Sequence, residues 1–201
     1  MSGRQTITDE AARLFITKGY AQTTLRDIAA AAGIKAGSIY YHFGSKDELL
    51  VDVMQQGMAV MLDAFAATAA SVAGEPADRR VAQHIQAHLQ ALFEHGPYTT
   101  THVSTFHYAP ESVKAEIVPL RDAYERMWAE LLAELVDSGQ IDPEVDLGLA
   151  RLSLMGAMNS AIEWFDPARG DVGRFAGVVS RQFWSGVAAG SDVTSRRGGD
   201  K

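Results

Sequence analysis

Residues 24–46, with the sequence TLRDIAAAAGIKAGSIYYHFGSK, constrain the fold of this chain more than any other stretch. Thr24 suits the N-cap of a helix, and Asp27 three residues later completes a variant of the capping box. Apolar side chains then recur at the i, i+3, i+4, i+7 spacing of one helical stripe, at Leu25, Ile28, Ala29 and Ala32. Gly33 ends this helix, because glycine takes the left-handed conformation without a Cβ clash.

A second short helix is predicted after Lys35. Ile39 and Phe43 face inward from it, whereas its other face carries polar side chains that no core requires. The four consecutive alanines of the first helix have little bulk, so the two helices can approach closely and leave the second one exposed. This pattern predicts a helix-turn-helix, in which the N-terminal residues of the second helix meet the base edges of DNA.

The predicted DNA contacts lie in and around this second helix. Gly37 and Ser38 are small, so the backbone can come close to DNA there, while Tyr40 and His42 can reach phosphate oxygens. The full predicted set is Thr24, Arg26, Lys35, Ala36, Gly37, Ser38, Tyr40, Tyr41, His42 and Lys46. Residues 1–4 are expected to be loose, with Arg4 as a short arm near the DNA backbone.

Residues 23–50, TTLRDIAAAAGIKAGSIYYHFGSKDELL, resemble the DNA-binding motif of TetR-family transcriptional regulators. The likeness lies in the threonine-rich start, the Ile-Ala-Ala core, the glycine turn, the Tyr-Tyr-His-Phe segment and the lysine. It implies an all-α fold with a nine-helix TetR-like architecture. In that architecture an N-terminal three-helix domain contains the helix-turn-helix, and a larger helical domain binds ligand and forms the dimer.

The distribution of charge fits a DNA-binding segment joined to a different kind of domain. The 201-residue chain has a net charge of −7, yet residues 1–46 hold six Lys or Arg against three Asp or Glu. Binding to phosphates needs only a local positive face. The absence of cysteine excludes disulfides and thiolate metal sites, and with no signal-like N-terminus we expect a cytoplasmic protein without a membrane partner.

Helical periodicity continues along the rest of the chain and predicts no strand. The motif helices follow a first helix, and the later predicted helices span residues 46–72, 78–95, 98–107, 111–138, 144–165 and 172–189. We therefore predict a DNA-binding domain at 1–46, a ligand-binding and dimerisation domain at 47–190, and a disordered tail at 191–201.

A ligand pocket is predicted in the larger domain, where six of the seven methionines lie. Methionine adapts its shape, so a methionine-rich interior suits a pocket that opens around an apolar ligand. The predicted lining is Met58, Met61, Phe65, His88, Leu92, Phe106, Trp128, Met155 and Asn159. The alternative for each of these residues is an ordinary place in the core.

The family resemblance also implies a homodimer formed by the last two helices of each subunit. Small residues on one predicted helix and apolar residues on the next suit such an interface, at Gly156, Ser160, Phe175, Val179 and Phe183. A dimer also fits a palindromic operator, whose half-sites are about 34–36 Å apart and each need a reading helix. The alternative is that these helices pack only within one subunit.

Two further classes of function remain open on the sequence. Five of the six histidines lie between positions 84 and 107, and His84 and His88 share a helix face. A metal-dependent enzyme could use this cluster, although no catalytic, metal or cofactor site is predicted. A DNA-binding protein without any ligand is the other alternative.

The favoured hypothesis is a ligand-responsive regulator, with repression as its expected mode. Its effector would be a small apolar or amphipathic molecule. The segment EWFDPARGDVGRF resembles a turn in family members that sense acyl-CoA or other lipid-like molecules.

Overall fold

The computed structural model describes residues 3–190, and this part of the chain is helical as predicted. It contains nine α-helices: α1 (Gly3–Thr17), α2 (Leu25–Ala31), α3 (Lys46–Ser71), α4 (Ala77–Glu94), α5 (Gly96–Thr105), α6 (Glu111–Asp137), α7 (Leu147–Asn159), α8 (Ala161–Trp164) and α9 (Val172–Val187). Two 3₁₀ helices span Ala36–Tyr41 and Phe106–Tyr108. Within residues 3–190, extended pairing is limited to one isolated bridge between Ile141 and Ala188. The tail predicted to be disordered lies outside the described residues.

The chain divides into two compact units. The first comprises Met1–Ala67 and Gln90–Glu125, and the second comprises Thr68–Leu89 and Arg126–Lys201. Helices α3, α4 and α6 each contribute residues to both units. The division of function at residue 46 stays a prediction, because compactness alone does not assign function to a segment.

The core of the first unit contains buried side chains of α1, α2 and α3. The buried side chains of α1 include Ile7 and Phe15, and the helix packs on α2 and α5. Helix α3 is also long and apolar enough to cross a membrane by length and composition. Eight of its residues are nevertheless buried in the protein, among them Leu49, Leu50 and Val53, which is the behaviour of a core helix.

The predicted helix at residues 144–165 is wrong in two places. Helix α7 begins only at Leu147, because the Asp142 carboxylate accepts a hydrogen bond from the Glu144 amide at 2.9 Å and holds a turn. Asp146 then caps α7 by accepting from the Leu149 amide at 3.0 Å. The helix ends before Ser160, whose hydroxyl donates to the backbone of its own turn, and the short α8 follows.

Candidate nucleic-acid interface

The start of α2 is fixed by a reciprocal capping box. The Thr24 hydroxyl accepts from the Asp27 amide at 3.2 Å, and the Asp27 carboxylate accepts from the Thr24 amide at 2.8 Å. Lys18 adds an ion pair to the same carboxylate at 2.6 Å. The Lys18 hydrogen bond and the Thr24 contacts lower the pKa of Asp27 to about 2. The capping predicted from residues 24 and 27 is therefore confirmed.

The turn after α2 requires a glycine. Gly33 has a φ of +68°, which is the left-handed region that residues with a Cβ rarely adopt. The Ile34 amide donates back to the Ala29 carbonyl at 2.9 Å, so the turn closes on the end of α2. This geometry directs the chain into the next helix, as predicted.

The second motif helix is a 3₁₀ helix, which the apolar spacing did not reveal. The Ser38 amide bonds to the Lys35 carbonyl and the His42 amide to the Ile39 carbonyl, both three residues back. Ile39 and Phe43 are buried and anchor this segment to the unit, as predicted. The buried face of the segment therefore holds it against the first unit.

The opposite face of the 3₁₀ helix points to solvent. Tyr40 is 62% exposed and Tyr41 is 88% exposed, so packing among residues 3–190 covers little of either side chain. A Cβ built on Gly37 would meet nothing within 4 Å, and its φ is not in the left-handed region. Neither strain nor internal packing therefore requires glycine at this position. A small residue is instead useful where the backbone must approach an external molecule.

The remaining predicted DNA-contact residues differ in how freely they face solvent. Thr24, Arg26, Lys35 and Ala36 are exposed, while Ser38 and His42 are half-buried. Lys46 is half-buried, and its ammonium donates to the carbonyls of Tyr20 and Thr23 at 2.8 and 3.0 Å. It also lies over the Tyr20 ring at 4.2 Å. Lys46 thus ties the start of α3 to the loop before α2, and a phosphate contact by it stays a prediction.

Arg4 has a role that the sequence pattern did not reveal, and the expectation of a loose arm is wrong for residues 3 and 4. Both belong to α1. The Arg4 guanidinium donates to the His42 carbonyl at 2.7 Å and pairs with Asp52 at 2.7 Å. It also lies 4.1 Å from the centroid of the Phe43 ring. Arg4 therefore fastens the end of the 3₁₀ helix to α3.

A polar network continues from Asp52 toward α5. Thr8 and Gln56 both donate to Asp52 at 2.9 Å. Gln5 donates to the Gln56 side chain at 3.4 Å and to the Tyr98 hydroxyl at 2.9 Å, and Tyr98 itself donates to Asp9. Burial and the neighbouring Asp9 raise the pKa of Tyr98. Hydrogen bonds thus connect the end of the exposed 3₁₀ helix to α5 within the first unit.

Helix α5 also lies in close contact with α3. A Cβ built on Gly57 would lie 2.7 Å from the Tyr98 carbonyl oxygen, which is shorter than real Cβ contacts allow. Gly57 is buried, and its φ is not in the left-handed region. The glycine is therefore required by the approach of the two backbones. The sequence shows this only as a glycine inside a predicted helix.

The predicted pocket residues fall into the two units. Met58, Met61, Phe65 and Leu92 are buried in the first unit, where Phe106 is half-buried. The second unit holds His88, Trp128, Met155 and Asn159. There His88 Nε2 lies 3.2 Å from Asn159 Oδ1, and burial lowers the pKa of His88 to about 4. Pocket lining by these nine residues stays a prediction.

The predicted dimer residues lie on α7, on α9 and between α7 and α8, and α7 and α8 also expose large apolar side chains. Leu149 is 64% exposed, Leu152 is 54% exposed and Trp164 is 62% exposed. Gly156 in α7 and Ser160 between α7 and α8 are exposed, whereas Val179 is buried and Phe175 and Phe183 are half-buried in α9. Phe175 stacks on Phe165 with ring centroids 5.0 Å apart.

The histidines do not converge on one site. His84 lies against Trp128 with centroids 6.0 Å apart, and its Nδ1 is 2.7 Å from the Arg80 carbonyl oxygen. Burial lowers its pKa. His102 belongs to the other unit and contacts Arg121. Among residues 3–190, no group of three or more His, Cys, Asp or Glu side chains is placed to hold a metal ion.

A capped helix, a glycine turn and an exposed short helix mounted by its inner face define a helix-turn-helix DNA-binding protein. Two family profiles match the chain. One, described as bacterial regulatory proteins of the tetR family, matches residues 7–53. The other, described as the tetracyclin repressor-like C-terminal domain, matches residues 74–173.

Several known proteins are similar to this chain over most of its length. The transcriptional repressor KstR2 of Rhodococcus jostii is 30% identical over 172 residues, which are 83% of this chain and 81% of the relative. The fatty acid metabolism regulator protein of Bacillus subtilis is 24% identical over 157 residues, 78% of this chain and 79% of the relative. The structure of PfmR from Thermus thermophilus, a TetR-family transcriptional regulator, has a TM-score of 0.78 at 26% identity, and covers 89% of this chain and 96% of that one. The chain therefore belongs to the tetR family of bacterial regulatory proteins, and it is a DNA-binding transcriptional regulator.

Proposed function

We propose that this protein is a cytoplasmic, homodimeric repressor that leaves a palindromic operator when a small molecule binds its larger domain. It acts by binding alone, without catalysis or a cofactor. The observation that carries the proposal is the exposed 3₁₀ segment with Tyr40, Tyr41 and the open Gly37. In the free protein this surface leaves aromatic side chains exposed to water, and docking into the major groove of DNA would bury them.

Homodimer formation is supported by the exposed apolar face of α7 and α8. Leu149, Leu152 and Trp164 leave large apolar surfaces in water, while Gly156 and Ser160 between them let another helix come close. A second copy with the same face would bury these surfaces and supply the second reading helix that a palindrome needs.

The effector proposed is an apolar or amphipathic molecule, with acyl-CoA and lipid-like metabolites as the first candidates. The methionines and aromatic residues predicted to line a pocket support an apolar ligand. The name of the B. subtilis relative, a fatty acid metabolism regulator, agrees with this class.

Control of DNA binding would use the hydrogen-bond network of the first unit. A ligand that changes the position of α5 would act on Tyr98, Gln5 and Asp52, and through Arg4 on the backbone of His42. By linkage, a ligand that prefers the released state weakens DNA binding by the factor by which DNA weakens ligand binding.

The test is recovery of bound fragments from a random DNA library, followed by fluorescence anisotropy on the best site. We expect a palindrome with half-sites about one helical turn apart. The variant Gly37→Ala should bind this site at least tenfold more weakly while keeping its thermal stability, because its Cβ meets no atom of residues 3–190 within 4 Å. Recovery of random fragments, or undiminished binding by Gly37→Ala, would count against this reading surface.

A further inference from the structure

One charged residue interrupts the buried stripe of α6 in the first unit. Val113, Ile117 and Tyr124 are at most 5% exposed and lie on one helical face. Arg121 falls between Ile117 and Tyr124 on that face and is itself only half-exposed. The sequence signal is an arginine at helical spacing within an apolar stripe.

The guanidinium of Arg121 is held by neutral groups. Nη1 lies 3.0 Å from His102 Nε2, and the guanidinium carbon lies 4.2 Å from the centroid of the Phe106 ring. Because an arginine only donates, His102 Nε2 accepts, and that neutral ring carries its proton on Nδ1. His102 is 8% exposed, so this contact lies largely away from water.

This arrangement leaves the positive charge without a close counter-ion. Among residues 3–190 no carboxylate lies at ion-pair distance from Arg121, and Glu125 and Asp122 act on it only at longer range. Burial lowers the pKa of Arg121. Removing a cation from water is costly unless an anion or several acceptors replace the solvent. The remaining N–H groups of the guanidinium have no acceptor among the described residues.

We propose that Arg121 and His102 bind the anionic group of the effector, a carboxylate or a phosphate. The planar fork of an arginine matches either anion with two parallel hydrogen bonds. The apolar part of the ligand would contact the buried face that holds Ile117 and Tyr124, where it would replace packing such as the edge-to-face contact of Tyr124 with Phe65 at 6.0 Å. The inference deepens the proposed function, since it names the chemistry that the effector must carry.

The experiment uses the full chain and three ten-carbon probes in isothermal titration calorimetry: decanoate, decyl phosphate and decanol. We expect at least one of the two anions to bind at least tenfold more tightly than decanol, since a charge-assisted pair adds to the same apolar contact. The two anionic probes separate a carboxylate from a phosphate as the preferred group. Equal binding of all three probes, or no binding of either anion, overturns the proposal.

Variants assign the effect to the residue. Arg121→Gln should lose at least tenfold in affinity for the preferred anion and leave decanol unchanged, whereas Arg121→Lys should retain part of the preference. Arg126→Gln, an exposed position on the same helix, serves as the matched control and should bind as the wild type does. Unchanged anion binding by a folded Arg121→Gln protein also overturns the proposal.

A measurement on the wild type covers the case in which Arg121→Gln does not fold. With ¹⁵N-labelled histidine, the His102 ring signals should shift on adding the preferred anion and not on adding decanol, while those of the exposed His107 should stay in place. Unmoved His102 signals overturn the proposal.

Operator release is measured separately by anisotropy. If an anion binds at Arg121 but does not release the protein from DNA, only the proposed function is contradicted. If a neutral ligand releases the protein from DNA and no anion binds, only the inference about Arg121 is contradicted.

Discussion

Gly57→Ala tests the contact between α3 and α5 directly. The new Cβ would lie 2.7 Å from the Tyr98 carbonyl oxygen and 2.9 Å from its carbon. Ordinary contact begins at 3.4 Å, so the two backbones must separate by roughly 0.7 Å. The obstacle is backbone, which cannot swing aside as the end of a flexible side chain can.

Two opposing free energies decide the outcome. Alanine is favoured over glycine in a helix interior by about 1 kcal/mol, whereas overpacking in a close contact costs about 1–3 kcal/mol. Because the atom met is a carbonyl of a packed helix, we take the upper half of that range. The free energy of unfolding should therefore fall by about 1–2 kcal/mol.

Urea denaturation followed by circular dichroism measures this change, with Gly37→Ala as the matched control. Gly37 has open space at its Cβ position and a φ that alanine accepts, so its replacement should leave the free energy of unfolding unchanged or raise it by up to about 1 kcal/mol. Gly37→Ala should weaken operator binding without lowering the free energy of unfolding. A Gly57→Ala protein as stable as the wild type, or more stable, would refute the argument from backbone contact.

Three further predictions follow from other contacts. Lys46→Ala should lower the free energy of unfolding by about 1–2 kcal/mol in urea without DNA, since two backbone carbonyls lose their donor; a flatter salt dependence of DNA binding with unchanged stability would favour a phosphate contact alone. His88 has a pKa lowered to about 4, so the unfolded chain takes up a proton first as pH falls. The contribution of neutral His88 to the free energy of unfolding should be complete above pH about 6.5 and decline by about 3 kcal/mol as pH falls to about 4. His88→Phe should therefore flatten this part of the profile of urea midpoint against pH. Phe183→Glu should yield monomers by light scattering and abolish operator binding, because an interface does not tolerate an unpaired charge; a folded dimer would remove Phe183 from the interface.

The sequence by itself determined the helical fold and the plan of the helix-turn-helix motif. Thr24, Asp27 and Gly33 act through their nearest neighbours along the chain, so their cap and turn could be read from spacing alone. The buried positions of Ile39 and Phe43 likewise follow from apolar periodicity. Local interactions of this kind do not depend on distant parts of the chain.

Tertiary structure decided which polar residues are engaged with one another. Arg4 and Asp52 are 48 positions apart, and Arg121 meets His102 across 19 positions. Spacing in the sequence carries no information about such pairs, because they form only when separate helices pack together. The same holds for Gly57, which must lack a side chain because the carbonyl of Tyr98, on another helix, lies too close for a Cβ.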